Sequence, residues 1–440
     1  LICIKGGRDP GRPGNAVVRF SPSMTDAVPA PGAPAGPEPA RTAPFHVMAK
    51  PAGPACNLRC SYCFYLEKKE LFERAESVRM SDETLERFVR EYIASQDTQE
   101  VSFAWQGGEP TLRGLDFYRK VVELQRRHAD GRTIVNALQT NGMLIDDEWA
   151  RFLAAEGFLV GISIDGPPEM HDVWRVDAGG RPTSERVLQG LQALQRHSVE
   201  FNTLTVVSAT NVKHPLKVYR YLKEIGSRYL QFIPLVERRG RGAETLAAPP
   251  VAGRPGAAEV TRWSVGPVAY GRFLVDIFNE WVQHDVGSTF VQIFDSTLHT
   301  WMTGHATMCT FAETCGRQVA MEHDGSVYAC DHYVYPDYRI GRLGEQTLAQ
   351  MLDSPQQRAF GDAKRDTLPA QCRRCEFLVA CRGGCPKHRF LTTRDGEPGL
   401  NYLCAGYKRF FGSVAPHMAA MARLLRQGRP AAEIMQMPPR

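Results

Sequence analysis

Cys56, Cys60 and Cys63 form a C-x3-C-x2-C pattern within ACNLRCSYCFY at 55–65, and no other feature constrains the chain as much. A cubane of four irons takes four cysteine ligands, so three leave one iron with an open position for a substrate or cofactor. The plain alternatives are a zinc knuckle completed by a distant histidine, or three unrelated buried thiols. Zinc sites favour paired C-x2-C spacings with a matching second pair, which this stretch lacks.

The 440 residues suffice for two or more domains, and 43% hydrophobic content for ordinary cores. A net charge of +5 without a dense basic run gives no reason to expect nucleic acid as a partner. No apolar run is long enough to span a bilayer, and the N-terminus lacks the apolar stretch of a secretory signal. The twelve cysteines therefore read as reduced, cytoplasmic thiols available to iron. Residues 1–43, rich in Pro, Gly and Ala, read as a disordered extension in which Cys3 is spare.

From residue 44 short β-rich runs alternate with amphipathic stretches, which predicts βα units and a parallel sheet. The expected strands are 45–49, 101–105, 134–139, 159–164, 201–207 and 229–233; the expected helices are 81–95, 115–128, 146–156, 184–197 and 214–225. Ligands of such folds sit beyond the carboxyl ends of the strands. The triad follows the first strand. Gln106-Gly107-Gly108-Glu109 follows the second, where adjacent glycines let the backbone pass close to a ligand and expose peptide groups. Asn141-Gly142 ends the third, and Ser163-Ile164-Asp165-Gly166 the fourth; ordinary turn chemistry also accounts for both. His171, Asp172 and Arg175 open a polar stretch extending to Arg186. Residues 237–267 have loop composition and read as a linker, a lid or a disordered insertion, with a domain boundary near 267 before a helical pattern at 268–284.

Eight more cysteines follow: Cys309, Cys315, Cys330, Cys372, Cys375, Cys381, Cys385 and Cys404. Two fully ligated cubanes would consume all of them, and a saturated cluster suits electron transfer. Cys372, Cys375, Cys381 and Cys385 also look locally like a closed zinc site. Spacing alone cannot pair eight thiols into two sets.

The triad followed one βα unit later by Gly107-Gly108-Glu109 resembles the radical S-adenosylmethionine (radical SAM) enzymes, and the C-terminal cysteine spacing resembles their SPASM extension. Longer stretches, among them FNTLTVVSATNVKHP, LQFIPLVER, FVQIFD and CTFAETCGRQVAMEHDGSVYACDHYV, resemble the anaerobic sulfatase-maturating enzymes over about 44–411. The resemblance implies an α/β fold: a partial (β/α)6 radical SAM barrel at 44–236, then a Cys-rich SPASM domain with a C-terminal helix at 268–440. It implies S-adenosylmethionine and three 4Fe-4S clusters. The first would be held by Cys56, Cys60 and Cys63, the second by Cys309, Cys315, Cys330 and Cys385, and the third by Cys372, Cys375, Cys381 and Cys404.

For S-adenosylmethionine the resemblance implies contacts from Tyr62, Gly107, Gly108, Glu109, Asn141, Ser163 and Asp165, and from Arg175 or Arg186 to the carboxylate. Tyr65 and Gln106 match substrate-contacting positions. Asp331, in Cys330-Asp331-His332-Tyr333-Val334, matches the catalytic base, although a carboxylate there could simply cap a turn. Burial beside a negative cluster is expected to raise its pKa toward neutrality. The implied reaction oxidises a cysteine or serine of an unfolded sulfatase polypeptide to Cα-formylglycine. A flavodoxin- or ferredoxin-type reductant would feed a cytoplasmic monomer, and the auxiliary clusters would carry the extracted electron outward. Two other readings stay open: a SPASM enzyme that cross-links a ribosomal peptide, and a ferredoxin-like carrier or zinc-stapled module.

Overall fold

The computed structural model describes residues 44–437 except 73–77, 241–242, 244 and 251–257, together with a ladder pairing Gly6–Gly7 with Val17–Val18. The remainder of the expected extension, Cys3 included, lies outside the described residues. Six strands form where the β-rich runs predict them: β1 (His46–Ala49), β2 (Glu100–Trp105), β3 (Thr133–Thr140), β4 (Leu159–Ser163), β5 (Phe201–Val207) and β6 (Tyr229–Pro234). Five helices alternate with them: α1 (Asp82–Ala94), α2 (Gly114–His128), α3 (Asp147–Ala155), α4 (Ser184–Arg196) and α5 (Pro215–Glu224).

The helix starts are chemically specified. Ser81 accepts the Thr84 N–H at α1, and Asp146 accepts those of Glu148 and Trp149 at α3. Asp172, from the polar stretch after β4, takes the N–H groups of Thr183 and Ser184 at 2.9 Å each and so anchors that stretch to the start of α4. Between β2 and the helices packs an aromatic core in which Phe103 and Trp105 meet Phe88 and Tyr118 at ring separations of 5.5–6.0 Å.

The sheet does not end near residue 267. After α6 (Pro267–His284), strand β7 (Phe290–Val291) adds in parallel beside β6. On the other edge β8 (Gln318–Met321) pairs in parallel with β1, and β9 (Ser326–Tyr328) and β10 (Arg339–Arg342) complete a ten-stranded sheet as antiparallel additions. Pattern reading missed these strands because they are two to four residues long, too short for any period to register. Their consequence is positional. With β8 in register against β1, from Gln318 beside His46 to Met321 beside Ala49, the turns that follow the two strands lie side by side.

Helix α7 (Gln292–Thr303) follows β7, and the chain's long last helix, α8 (Cys404–Arg426), crosses α6 where two glycines meet. A Cβ on Gly271 would lie 2.6 Å from the Gly406 carbonyl oxygen, so neither helix tolerates a side chain there. The 237–267 stretch is not the structureless segment its composition suggests. Among its described residues Arg238–Arg239 pairs with Glu259–Val260, Trp263 and Val265 are buried, and the Leu246 N–H binds the Glu67 carboxylate at 2.7 and 2.9 Å. No helix among the described residues is long and apolar enough to cross a membrane.

Candidate active site

The cysteine triad occupies the loop after β1, held open like a sling by its neighbours. Arg59 and Ser61 donate their N–H groups to the carbonyls of Val176 and Trp174, at 2.8 and 3.2 Å, which stitches the triad to the polar stretch after β4. Burial pushes the Cys56 thiol up to about 11 and Cys60 to about 12, while the Arg175 guanidinium draws both back toward the thiolate. A buried cation beside three half-buried thiols suits a negatively charged iron–sulfur cluster. Among the described residues no group of three or more His, Cys, Asp or Glu side chains is placed to hold a single metal ion.

Arg175 and Arg186 are now distinct. Arg175 is 6% exposed, donates to the Tyr62 hydroxyl at 3.0 Å, and keeps its Nε without a partner. Tyr62 in turn donates to Asp165 at 2.5 Å, and Asp165 accepts the Val206 N–H at 3.0 Å. Arg186 instead lies on α4, bonded to Gln189 on its own helix and to the Ile145 carbonyl. Arg175, Tyr62 and Asp165 thus form one buried polar group against the triad loop. His171, from the polar stretch, and Asn211, not singled out from sequence, support it: the Asp165 N–H meets His171 Nδ1 at 3.3 Å, and Asn211 donates to the Asp165 carbonyl at 2.9 Å.

The Gly107-Gly108 turn departs from expectation. Its peptide groups do not all face a ligand, because the Gly108 and Glu109 N–H groups donate to the carbonyls of Gly53 and Ala55 at 2.8 and 2.7 Å. A Cβ on Gly108 would land on the Ala55 carbonyl oxygen, and Gly107 holds φ of +126°. The glycines therefore press the second βα turn against the triad loop. Glu109 is a junction: its carboxylate accepts from Thr111, from the Thr140 hydroxyl at 2.7 Å and from the Asn141 N–H at 2.7 Å. Asn141 makes the expected turn and also reaches the triad loop. Its Oδ1 closes a turn on the Met143 N–H at 2.9 Å, and its Nδ2 reaches Asn57 in the triad loop at 2.7 Å. Ser163 accepts from Gln139 at 3.2 Å.

Asp331 lies just beyond β9, and it is here that the β8–β1 pairing acts. Its carboxylate forms an ion pair with Lys50, the residue between β1 and the triad loop, and the Lys50 ammonium sits 3.6 Å over the Tyr65 ring. The expected upward pKa shift is overturned. Burial, the largest single influence, pushes the Asp331 carboxyl up, but the opposing charges, Lys50 foremost, together hold it below its ordinary value. His332 is pushed down to about 3 by burial and carries no charge at neutral pH, so the balance rests on Lys50. Tyr65 is 4% exposed and spends its hydroxyl on the fully buried Glu322, so its ring and not its hydroxyl borders the site. Gln106 donates to the Met48 sulfur at 2.8 Å. Sequence reasoning missed Lys50 and Glu322. A lysine at the carboxyl end of a predicted parallel strand was the available signal for the first; the second had none.

The eight remaining thiols separate into two groups. Cys309, Cys315 and Cys385 lie close enough to Cys330 to raise its pKa, and Cys372, Cys375, Cys381 and Cys404 line one cavity with Tyr407 and Phe411. Each group has buried cations nearby. Lys364 stands by the first and donates to the Cys309 and Thr310 carbonyls at 2.6 and 3.0 Å; Arg389 lies near thiols of both. Two sets of four, each flanked by positive charge, suit saturated anionic clusters.

Comparison with known proteins agrees in both halves. Residues 51–222 match the model of the radical SAM superfamily, and 309–376 match that of the SPASM iron–sulfur cluster-binding domain. The chain is 48% identical over 398 residues, 89% of its length and 95% of the relative's, to a serine-type anaerobic sulfatase-maturating enzyme of Bacteroides thetaiotaomicron. It is 36% identical, over 86% of its length and 98% of the relative's, to a cysteine-type anaerobic sulfatase-maturating enzyme of Clostridium perfringens. Among solved structures, native anSMEcpe with bound AdoMet and Cp18Cys peptide superposes with a TM-score of 0.75 at 35% identity, covering 87% of this chain and 99% of that one.

Proposed function

The chain belongs to the anaerobic sulfatase-maturating enzymes, radical SAM proteins with a SPASM domain, and from that premise we propose how its own residues oxidise a sulfatase cysteine or serine to Cα-formylglycine. In this reading Cys56, Cys60 and Cys63 would hold the catalytic cluster, and Tyr62, Asp165 and Arg175 would help to hold S-adenosylmethionine. The unpartnered Nε of Arg175 is the donor left for the cofactor's carboxylate. Glu109 and Asn141 serve mainly to lock the loops together, with Gly107, Gly108 and Ser163 shaping the same wall. Bound together and reduced, cluster and cofactor supply a hydrogen-atom abstractor.

Oxidation at the target Cβ also releases a proton, and Asp331 takes it. Lys50 keeps Asp331 ionised, so the base is ready across the working pH range. Tyr65 and Gln106 border the reacting side chain. Cys309, Cys315, Cys330 and Cys385 hold one auxiliary cluster, and Cys372, Cys375, Cys381 and Cys404 the other. The barrel at 44–236 thus supplies the radical chemistry, and 268–440 supplies the base and both auxiliary sites. The observation that carries this reading is Asp331, brought by strand pairing onto the lysine that precedes the triad.

Serine is the proposed target, because the 48%-identical relative is serine-type and the cysteine-type one is less similar, at 36%. We place the reaction in the cytoplasm, in a monomer fed by a flavodoxin- or ferredoxin-type reductant, where a sulfatase is still unfolded. The test is anaerobic incubation with serine and cysteine sulfatase-motif peptides, followed by mass spectrometry. Formylglycine and 5′-deoxyadenosine should appear together, more with the serine peptide. Asp331→Asn should keep forming 5′-deoxyadenosine while aldehyde falls about 100-fold or more; unchanged aldehyde would remove Asp331 from this role.

A further inference from the structure

Lys50, Lys68 and Lys387 lie near one another in the neighbourhood of Asp331, and two of them are spoken for. Lys50 pairs with Asp331, and Lys387 pairs with Glu237 at 2.5 Å. The third, Lys68, is 3% exposed, yet its ammonium has no hydrogen-bond or ion-pair partner among the described residues. It sits against an aromatic face, the Tyr335 ring, 3.1 Å away. Glu67, next in sequence, is committed to the Leu246 N–H.

An ammonium on so little-exposed a residue, with no acceptor among the described residues, is unfavourable, and chains retain one where something arrives to accept from it. Its position says what arrives. Lys68 ends the single-turn helix Leu66–Lys68 that follows the triad, and Tyr335 lies four residues after Asp331, so the ammonium sits at the seam where those two segments meet. Its charged neighbours are Glu67, Lys50, Lys387 and Asp331, and none belongs to the Tyr62, Asp165 and Arg175 group. The seam therefore faces the substrate side and not the cofactor side.

We propose that the Lys68 ammonium is a subsite for the target polypeptide, donating to an acceptor oxygen near the residue being oxidised. The oxygen is a main-chain carbonyl or a side-chain carboxylate of that polypeptide. This rests on the sulfatase-maturating function above and adds a specificity residue to it. Burial holds the Lys68 amine down at about 7, so it loses its proton within the range where the enzyme can be assayed.

The experiment compares wild type, Lys68→Met and Lys68→Arg, each reconstituted anaerobically, on one serine sulfatase-motif peptide. Lys68→Met should raise the peptide KM about tenfold or more, with kcat and the ratio of aldehyde to 5′-deoxyadenosine little changed, and Lys68→Arg should restore most of the loss. In wild type the peptide KM should climb as pH rises through about 7, and Lys68→Arg, charged throughout, should flatten that climb. A peptide with its acidic residues replaced by amides assigns the oxygen: a persisting Met effect means a main-chain carbonyl, a vanished one a carboxylate. An unchanged KM in Lys68→Met overturns the subsite. Should that variant lose iron, superimposable KM–pH profiles for wild type and Lys68→Arg overturn it equally. If wild type oxidises no sulfatase peptide at all, it is the function that fails and not the subsite alone.

Discussion

Lys50 and Asp331, 281 positions apart in sequence, meet in a buried ion pair beside the loop that carries the cysteine triad. A carboxylate buried alone would hold its proton; paired with a buried ammonium it stays ionised. The pair also ties the end of β1 to the segment after β9, so one contact sets both the charge of the base and its place.

Replacing Lys50 tests that link. In Lys50→Met the chief charge opposing burial at Asp331 is gone, its pKa rises, and less of it is ionised at a given pH. The acid limb of the kcat–pH profile should move to higher pH, with aldehyde yield partly recovered at alkaline pH while 5′-deoxyadenosine still forms. A profile that overlays wild type would show that Lys50 does not govern the base.

Gly108→Ala should damage the cluster site without touching a ligand. Its methyl group would run into the Ala55 carbonyl, in the clamp made by the Gly108 and Glu109 N–H groups. Overpacking of this kind destabilises by about 1–3 kcal/mol. Lower melting temperature and lower iron retention are expected, most of the iron loss coming from the triad.

Cys404→Ser and Cys385→Ser distinguish the two thiol groups. Cys404 closes the cavity lined by Cys372, Cys375 and Cys381, whereas Cys385 stands with Cys309, Cys315 and Cys330. Each variant should lose about one cluster's iron, roughly four atoms. The double variant should then lose about eight. Cys372→Ser added to Cys404→Ser should lose no more than Cys404→Ser alone, and additive losses there would refute the grouping.

Asp295 offers a pH test remote from the iron sites. Buried on α7 with no partner for its Oδ2, its carboxyl is pushed up to about 8. The unfolded chain releases that proton near 3.9, so the folded state binds the extra proton between about 4 and 8 and loses stability as pH rises across that window. Asp295→Asn should flatten the decline and stabilise the protein at pH 8 by about 1–3 kcal/mol, measured as melting temperature at pH 5 and pH 8.

Much of the barrel was legible because its signals are local. A β-rich run or an amphipathic stretch declares itself within ten residues, and β5 at Phe201–Val207 coincides with the expected strand. The added strands at Phe290–Val291 and Gln318–Met321 were not legible, since two to four residues become a strand only when a neighbour supplies the hydrogen bonds. The Gly107-Gly108 turn was found for one reason and kept for another: its glycines are required by a second loop passing close, which no run of residues announces.

By itself the sequence determined the ligand count, three thiols near the start and eight later, because coordination number is a property of composition and spacing. It also determined the order of strands and helices within the barrel at 44–236, through side-chain periodicity. Only the tertiary structure decided which four thiols share a cavity, that Arg175 and not Arg186 faces the triad, and that Asp331 is held ionised. Those outcomes depend on burial and on distances between residues far apart in the chain, and electrostatic balance reverses sign according to which charge the fold brings within reach.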